Sequence, residues 1–180
     1  MSSTHFDPFN SRLARDIRNA LSKSFLHAID GKDAAIFQRC VADYLLQEFE
    51  SVYERYIKNR LKKYEEVFAI MSQGKLEDVL QQAAIFWDYG LYFEMHELLE
   101  PVWKMAEGEK RKALQGLIRG AGMKIHAENN NLKAAVSMGA KALVDLAKYG
   151  SELAGFAKLR IIEEDIKQTL ATAQNKIRQR

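Results

Sequence analysis

The stretches "YGLYFEM", residues 89–95, and "NNNLKAA", residues 129–135, decide the fold. They align at an offset of 40, with Gly90 on Asn130, Leu91 on Asn131, Tyr92 on Leu132 and Met95 on Ala135. Gly enters the left-handed backbone region without steric penalty, and Asn tolerates it better than most residues. Each stretch is therefore expected to close one helix and open an antiparallel partner. An apolar residue two positions after the turn Gly or Asn packs the corner.

Outward from these turns the chain reads almost entirely at helical period, with no convincing strand run. Asn10 or Ser11 caps a first helix to about Ile29, with the stripe Leu13, Ile17, Leu21, Phe25 and Ala28. Asp30-Gly31 ends it. From Asp33 a forty-residue pattern runs to Gln73-Gly74, long enough that a break near Lys58-Asn59 is expected. Helices follow over Lys75 to Asp88, Leu91 to about Ala106, Glu109 to Glu128, Leu132 to Lys148 and Leu159 to about Arg178, with a loop at Gly150 to Gly155. The two turns are similar to the αα-hairpin of tetratricopeptide-type repeats, but two units are too few for a solenoid. The expected fold is all-α: a multi-helix bundle of two stacked hairpins over 75–180, preceded by an N-terminal helical extension over 1–74.

The 180 residues are 47% hydrophobic, enough to bury a core without metal or disulfide. The one cysteine, Cys40, excludes an internal disulfide, fits a reducing compartment and is expected as a small core thiol. The N-terminus lacks an apolar h-region, and no run approaches the ~20 apolar residues of a membrane span. A cytoplasmic protein is expected, with no membrane partner. The net charge of +3 is unevenly spread: +2 over 1–75, −3 over 76–130 and +4 over 131–180. The acidic middle suits a cation or a basic ligand group better than phosphates, so nucleic acid is not expected. In the basic cluster "KNRLKKY", residues 58–64, a solvated helix face is the expected reading, since Glu65-Glu66 follow at once. The Arg12, Arg15 and Arg18 flank of the first helix is explained by intramolecular packing of its stripe. The aromatic-rich pattern of 33–73 would serve as a homodimer seam.

The middle segment holds "YFEMHELLEPVW", residues 92–103, with Glu94, His96, Glu97 and Glu100 within seven positions. At ~100° per residue, His96, Glu100, Phe93 and Trp103 share one stripe, while Glu94 and Glu97 turn away from it. On the next helix Gln115, Arg119 and His126 form a polar stripe with Gly122 as a gap. The two stripes are expected to face each other. Pro101 removes the N–H that would bond the Glu97 carbonyl, so a kink is expected, with that carbonyl as an alternative ligand acceptor. Trp103 is expected as a core anchor.

Residues 85–143 resemble the family catalogued as domain of unknown function 309. The pattern is an aromatic and a Gly turn, then "GLYFEMHELLEPVW", then "LQGLIRGAGMKIH". Glu94, His96, Glu97, Glu100, Trp103, Gln115, Gly116 and His126 fall on it. Met95 replaces the usual Ala, Arg119 the usual Gln, and Asn130 a common Gly. The resemblance implies an all-helical fold and marks where the family pattern concentrates, without a transferable activity.

The candidate site is thus Glu94, His96, Glu97, Glu100, Gln115, Arg119 and His126. A ligand-binding pocket that uses Gly122 as space competes with a network that only fixes helix register through Arg119 with Glu97 or Glu100, and His96 with Gln115. "HELLE" places Glu100 where a zincin has its second His, and a His96/Glu100/His126 ligand set remains. Arg119 would repel a cation, so no metal and no cofactor is expected. Phosphate-loop, dinucleotide and nucleophile-elbow patterns are absent. The leading reading is a helical protein whose His/Glu/Gln/Arg cluster binds a small molecule or supports acid–base chemistry; no reaction follows. The rival is an interaction or structural module.

Overall fold

The computed structural model describes residues 5–74, 76 and 78–179, and every statement below concerns these. The expected helix start at Lys75 lies outside them. Eight α-helices and one 3-10 turn make up the regular structure, with no strand among the described residues. The chain divides into two compact units, 1–76 and 77–180.

In the first unit, α1 (Arg12–Gly31) begins at Ser11, whose Oγ accepts from the Ala14 N–H at 3.2 Å. Its end is carried by Lys32 rather than Gly31. Lys32 takes the left-handed conformation (φ 53°), and its N–H bonds the Ala28 and Ile29 carbonyls. Leu13 of the expected stripe is exposed, and Ala14 is buried in its place with Ile17, Leu21, Phe25 and Ala28.

The forty-residue pattern is two helices, α2 (Ala35–Leu45) and α3 (Ser51–Gly74), and the break falls at 46–50, not at Lys58-Asn59. Aromatic packing explains it. Phe37 and Tyr64 would lie roughly 40 Å apart on one straight helix, yet their ring centroids are 5.8 Å apart. Phe25 stacks on Tyr64 at 4.1 Å, and Phe68 meets Phe37 edge-on at 5.8 Å. Folding α3 back on α2 and α1 buries Phe25, Phe37 and Tyr64 within the unit. The basic cluster is also split. Lys58, Asn59 and Lys62 are exposed, but Arg60 is buried, its Nε donating to the Tyr56 hydroxyl at 3.1 Å. Cys40 is half-buried rather than a core thiol.

In the second unit, α4 (Val79–Asp88) is capped by Asp78, whose Oδ1 accepts from Leu80 N and Gln81 N. Next come α5 (Tyr92–Met105), α6 (Gly108–Glu128), α7 (Leu132–Tyr149), a 3-10 turn (Gly150–Glu152) and α8 (Leu159–Arg178). The two turns repeat bond for bond. Gly90 N bonds Trp87 O and Leu91 N bonds Phe86 O; Asn130 N bonds Ala127 O and Asn131 N bonds His126 O. Gly90 and Asn130 have φ of 64° and 59°. The six-to-one bonds of Leu91 and Asn131, with the shorter bonds of Gly90 and Asn130, satisfy the last carbonyls of α4 and α6, and the next residue starts a new helix.

Helix α6 is central and packs against α5, α7 and α8. Gly116 sets the approach to α7: a Cβ there would lie 2.8 Å from Leu146 Cδ2 and 3.1 Å from Asp145 Cβ. The core of the unit includes Phe86, Leu91, Met95, Leu99, Leu114, Leu117, Ile162 and Ile166.

Candidate functional site

Helix α5 presents its polar residues differently from the wheel reading. Glu94 is the fully buried one, at 0% exposure. His96, Glu97 and Glu100 keep 33%, 39% and 35% of their side chains exposed. The apolar arc Met95, Leu98, Leu99 and Val102 lies opposite the Phe93/His96/Glu100/Trp103 arc, and Met95 and Leu99 fill the core. Glu94 borders that apolar arc and is drawn in with it. It stands in the first turn of α5, where the helix dipole favours a carboxylate.

The exposed trio is paired along its own helix. His96 Nδ1 lies 3.2 Å from Glu97 Oε1, and Lys104 Nζ lies 2.9 Å from Glu100 Oε1. The Lys104 ammonium, by this hydrogen bond first and then by its charge, holds the Glu100 carboxyl below its ordinary value. One ligand atom from each of His96, Glu97 and Glu100 falls within 4.8 Å of the others, so this group could hold a metal ion. His126 is not in it. All three donors come from two turns of one helix, and the Lys104 ammonium competes for Glu100. Helix α5 continues through Pro101, which is exposed.

The expected cross-helix pairs are not made. Arg119 Nη1 donates to Asp145 Oδ2 of α7, rather than to Glu97 or Glu100. Asp145 is only 16% exposed, and Gly116 is what lets α7 bring it against α6. The expected gap at Gly122 is filled, since a Cβ there would lie 2.4 Å from Met138 Cε.

What opens instead is a cleft of about 350 Å³ between α5, α6 and α7. Trp103 lines it from α5, half-buried and not a core anchor. Arg111, Lys112, Gln115 and Arg119 line it from α6, and Asp145 and Tyr149 from α7. The Arg111 guanidinium lies over the Trp103 ring, 4.5 Å from its centroid. Lys112 Nζ donates to the Tyr149 hydroxyl at 3.3 Å, and Lys112 and Lys148 lie 4.9 and 5.1 Å from the centre of that ring. The Lys148 ammonium, then that of Lys112, holds the Tyr149 phenol below its ordinary pKa. Of the seven sequence candidates only Gln115 and Arg119 reach this cleft. His126 lines a separate pocket of about 500 Å³ with Asn130, Asn131 and Ile177, and burial lowers its pKa.

The sequence reading missed one further cluster. Lys124 Nζ bonds Asp165 Oδ1 at 2.8 Å and Thr169 Oγ1 at 3.1 Å, and lies 5.6 and 5.2 Å from the ring centres of Trp87 and Tyr92. Trp87 Nε1 donates to Asp165 Oδ2 at 2.9 Å. The network fastens α8 to α4, α5 and α6. No local signal predicts a partner 78 residues away. Burial above all, then the Asp165 carboxylate, raises the Tyr92 pKa.

The comparisons bear on the same segment. Residues 80–138 match the model of the family described as domain of unknown function (DUF309). This is the hairpin pair α4–α5 and α6 with the first part of α7, and it holds Trp103, Arg111, Lys112, Gln115 and Arg119 of the cleft. An uncharacterised protein of Aquifex aeolicus (strain VF5) is 26% identical over 171 residues, covering 94% of this chain and 48% of that protein. The chain thus spans about half the length of this curated relative. No solved structure matches. Among the described residues no helix is long and apolar enough to cross a membrane.

Proposed function

We propose that the second unit binds a small molecule in the cleft walled by Trp103, Gln115, Arg119 and Tyr149. One observation carries this reading: cations, an amide and two aromatic rings converge on a concavity of about 350 Å³. That volume lies at the low end of the ~300–1,000 Å³ of small-molecule sites. Packing alone does not call for this lining, because Arg111 and Lys112 are exposed rather than drawn into the core. Differential scanning fluorimetry of the full chain against a panel of neutral, anionic and cationic small molecules tests it. A binder is expected whose effect disappears in Trp103→Ala and Gln115→Ala. A panel without a binder, or a binder untouched by both changes, overturns the proposal.

The rival reading, an interaction module, draws on the two turns that repeat at an offset of 40. It differs in expecting that no change in the cleft affects a bound partner.

A further inference from the structure

We infer that the ligand of this cleft is a compact organic anion carrying at least two negative charges on or beside a flat unsaturated ring. The inference rests on the small-molecule reading above and adds the ligand's chemistry.

Charge comes first. Arg111, Lys112 and Arg119 line the cleft with one carboxylate, Asp145. That carboxylate is mostly buried and is engaged by Arg119 Nη1, so it orients the guanidinium more than it repels an incoming anion. A guanidinium has five N–H donors in a planar fork, and this bond uses one of them. Among the described residues neither Arg111 nor Lys112 forms an ion pair with a carboxylate. Lys148 adds a further ammonium beside Tyr149, with the Glu109 carboxylate in its field. The lining itself leaves an excess of two positive charges, which a dianion would balance.

Shape comes second. Arg111 and Lys112 are neighbours in the first turns of α6, and both reach aromatic rings that bound the cleft. The Arg111 plane over Trp103 offers a flat stacking surface for an unsaturated ring, and Arg stacks in this way more readily than Lys. The Tyr149 hydroxyl accepts from Lys112, and a phenol keeps one O–H to donate to an anionic oxygen. The Gln115 amide supplies two N–H donors and a carbonyl acceptor to orient a ring substituent. A dinucleotide is too large for about 350 Å³. Phosphate monoesters and dicarboxylates share the required chemistry.

Titration calorimetry on the full chain at low salt decides the matter, with phenyl phosphate, phthalate, inorganic phosphate, benzyl alcohol and benzamidine as probes. Phenyl phosphate or phthalate should bind more tightly than inorganic phosphate, and binding should weaken as salt is added. Phenyl phosphate alone identifies a phosphate ester, and phthalate alone a dicarboxylate. Arg111→Gln and Lys112→Gln, both at exposed positions, should each weaken binding by about tenfold while the melting temperature stays the same. Preference for benzyl alcohol or benzamidine, lost in Trp103→Ala, would overturn the anion inference and leave the small-molecule reading standing. Anion binding that survives the double Gln variant would overturn it as well. No binding by any probe would remove both.

Discussion

The Arg119 guanidinium is held by Asp145 across the α6–α7 interface, and Gly116, three residues before Arg119, is what allows the two helices close enough. This ion pair turns Arg119 away from the glutamates of α5 and builds the floor of the cleft. It separates a surface trio on α5 from a cationic cleft beside it.

Removing one member of that pair should be costlier than removing both. Asp145→Ala leaves a partly buried guanidinium without its partner and should destabilise by about 1–3 kcal/mol. The Arg119→Ala/Asp145→Ala double variant should recover part of this in a denaturant-based mutant cycle, with a coupling of roughly 0.5–3 kcal/mol. Additive single effects would show that the pair contributes nothing.

Two glycines on α6 should respond oppositely to alanine. In Gly116→Ala the new Cβ meets Leu146 Cγ at 2.9 Å, a branch point that cannot swing away, and a loss of about 1–3 kcal/mol is expected. In Gly122→Ala the clash is with Met138 Cε, the free end of a flexible side chain. There the gain in helix propensity of up to about 1 kcal/mol should offset the shift. Thermal melts of the two variants give the comparison.

The glutamates of α5 should likewise divide by burial. Glu94→Ala removes a fully buried side chain and should destabilise by about 2 kcal/mol or more. Glu97→Ala and Glu100→Gln, at solvated positions, should stay within about 0.5 kcal/mol. Equal effects at all three would contradict the burial pattern.

His126 offers a pH test. Burial lowers its folded pKa below the ordinary 6.5, so the unfolded chain takes up the proton first. Stability from this group is complete above about pH 6.5 and declines as pH falls toward the folded pKa. An NMR titration should place His126 below the ordinary imidazole value, and His126→Gln should flatten that part of the stability profile.

How much of this was legible in advance differs from element to element. Gly90 and Asn130 announced the paired turns because backbone conformation at a turn depends on one residue's own sterics. The ends of α5, α7 and α8 were readable for similarly local reasons. The break at 46–50 was not, since it exists to let Phe37 reach Tyr64 and Phe68. The site was partly visible: the wheel grouped His96 with Glu100 correctly but assigned them to the interior, because Phe93 and Trp103 outweighed Met95 and Leu99 in that reading.

By itself, then, the sequence determined the all-helical class and the two matching corners, both set by short-range periodicity and turn sterics, while the motif resemblance marked the family segment. Only the tertiary structure decided which arc of α5 is buried, that Met138 occupies the space at Gly122, and that Asp145 rather than a glutamate claims Arg119. Those outcomes depend on how closely α6 and α7 approach and on which long-range side chains fill the space between them, and neither quantity is written in any local stretch of the chain.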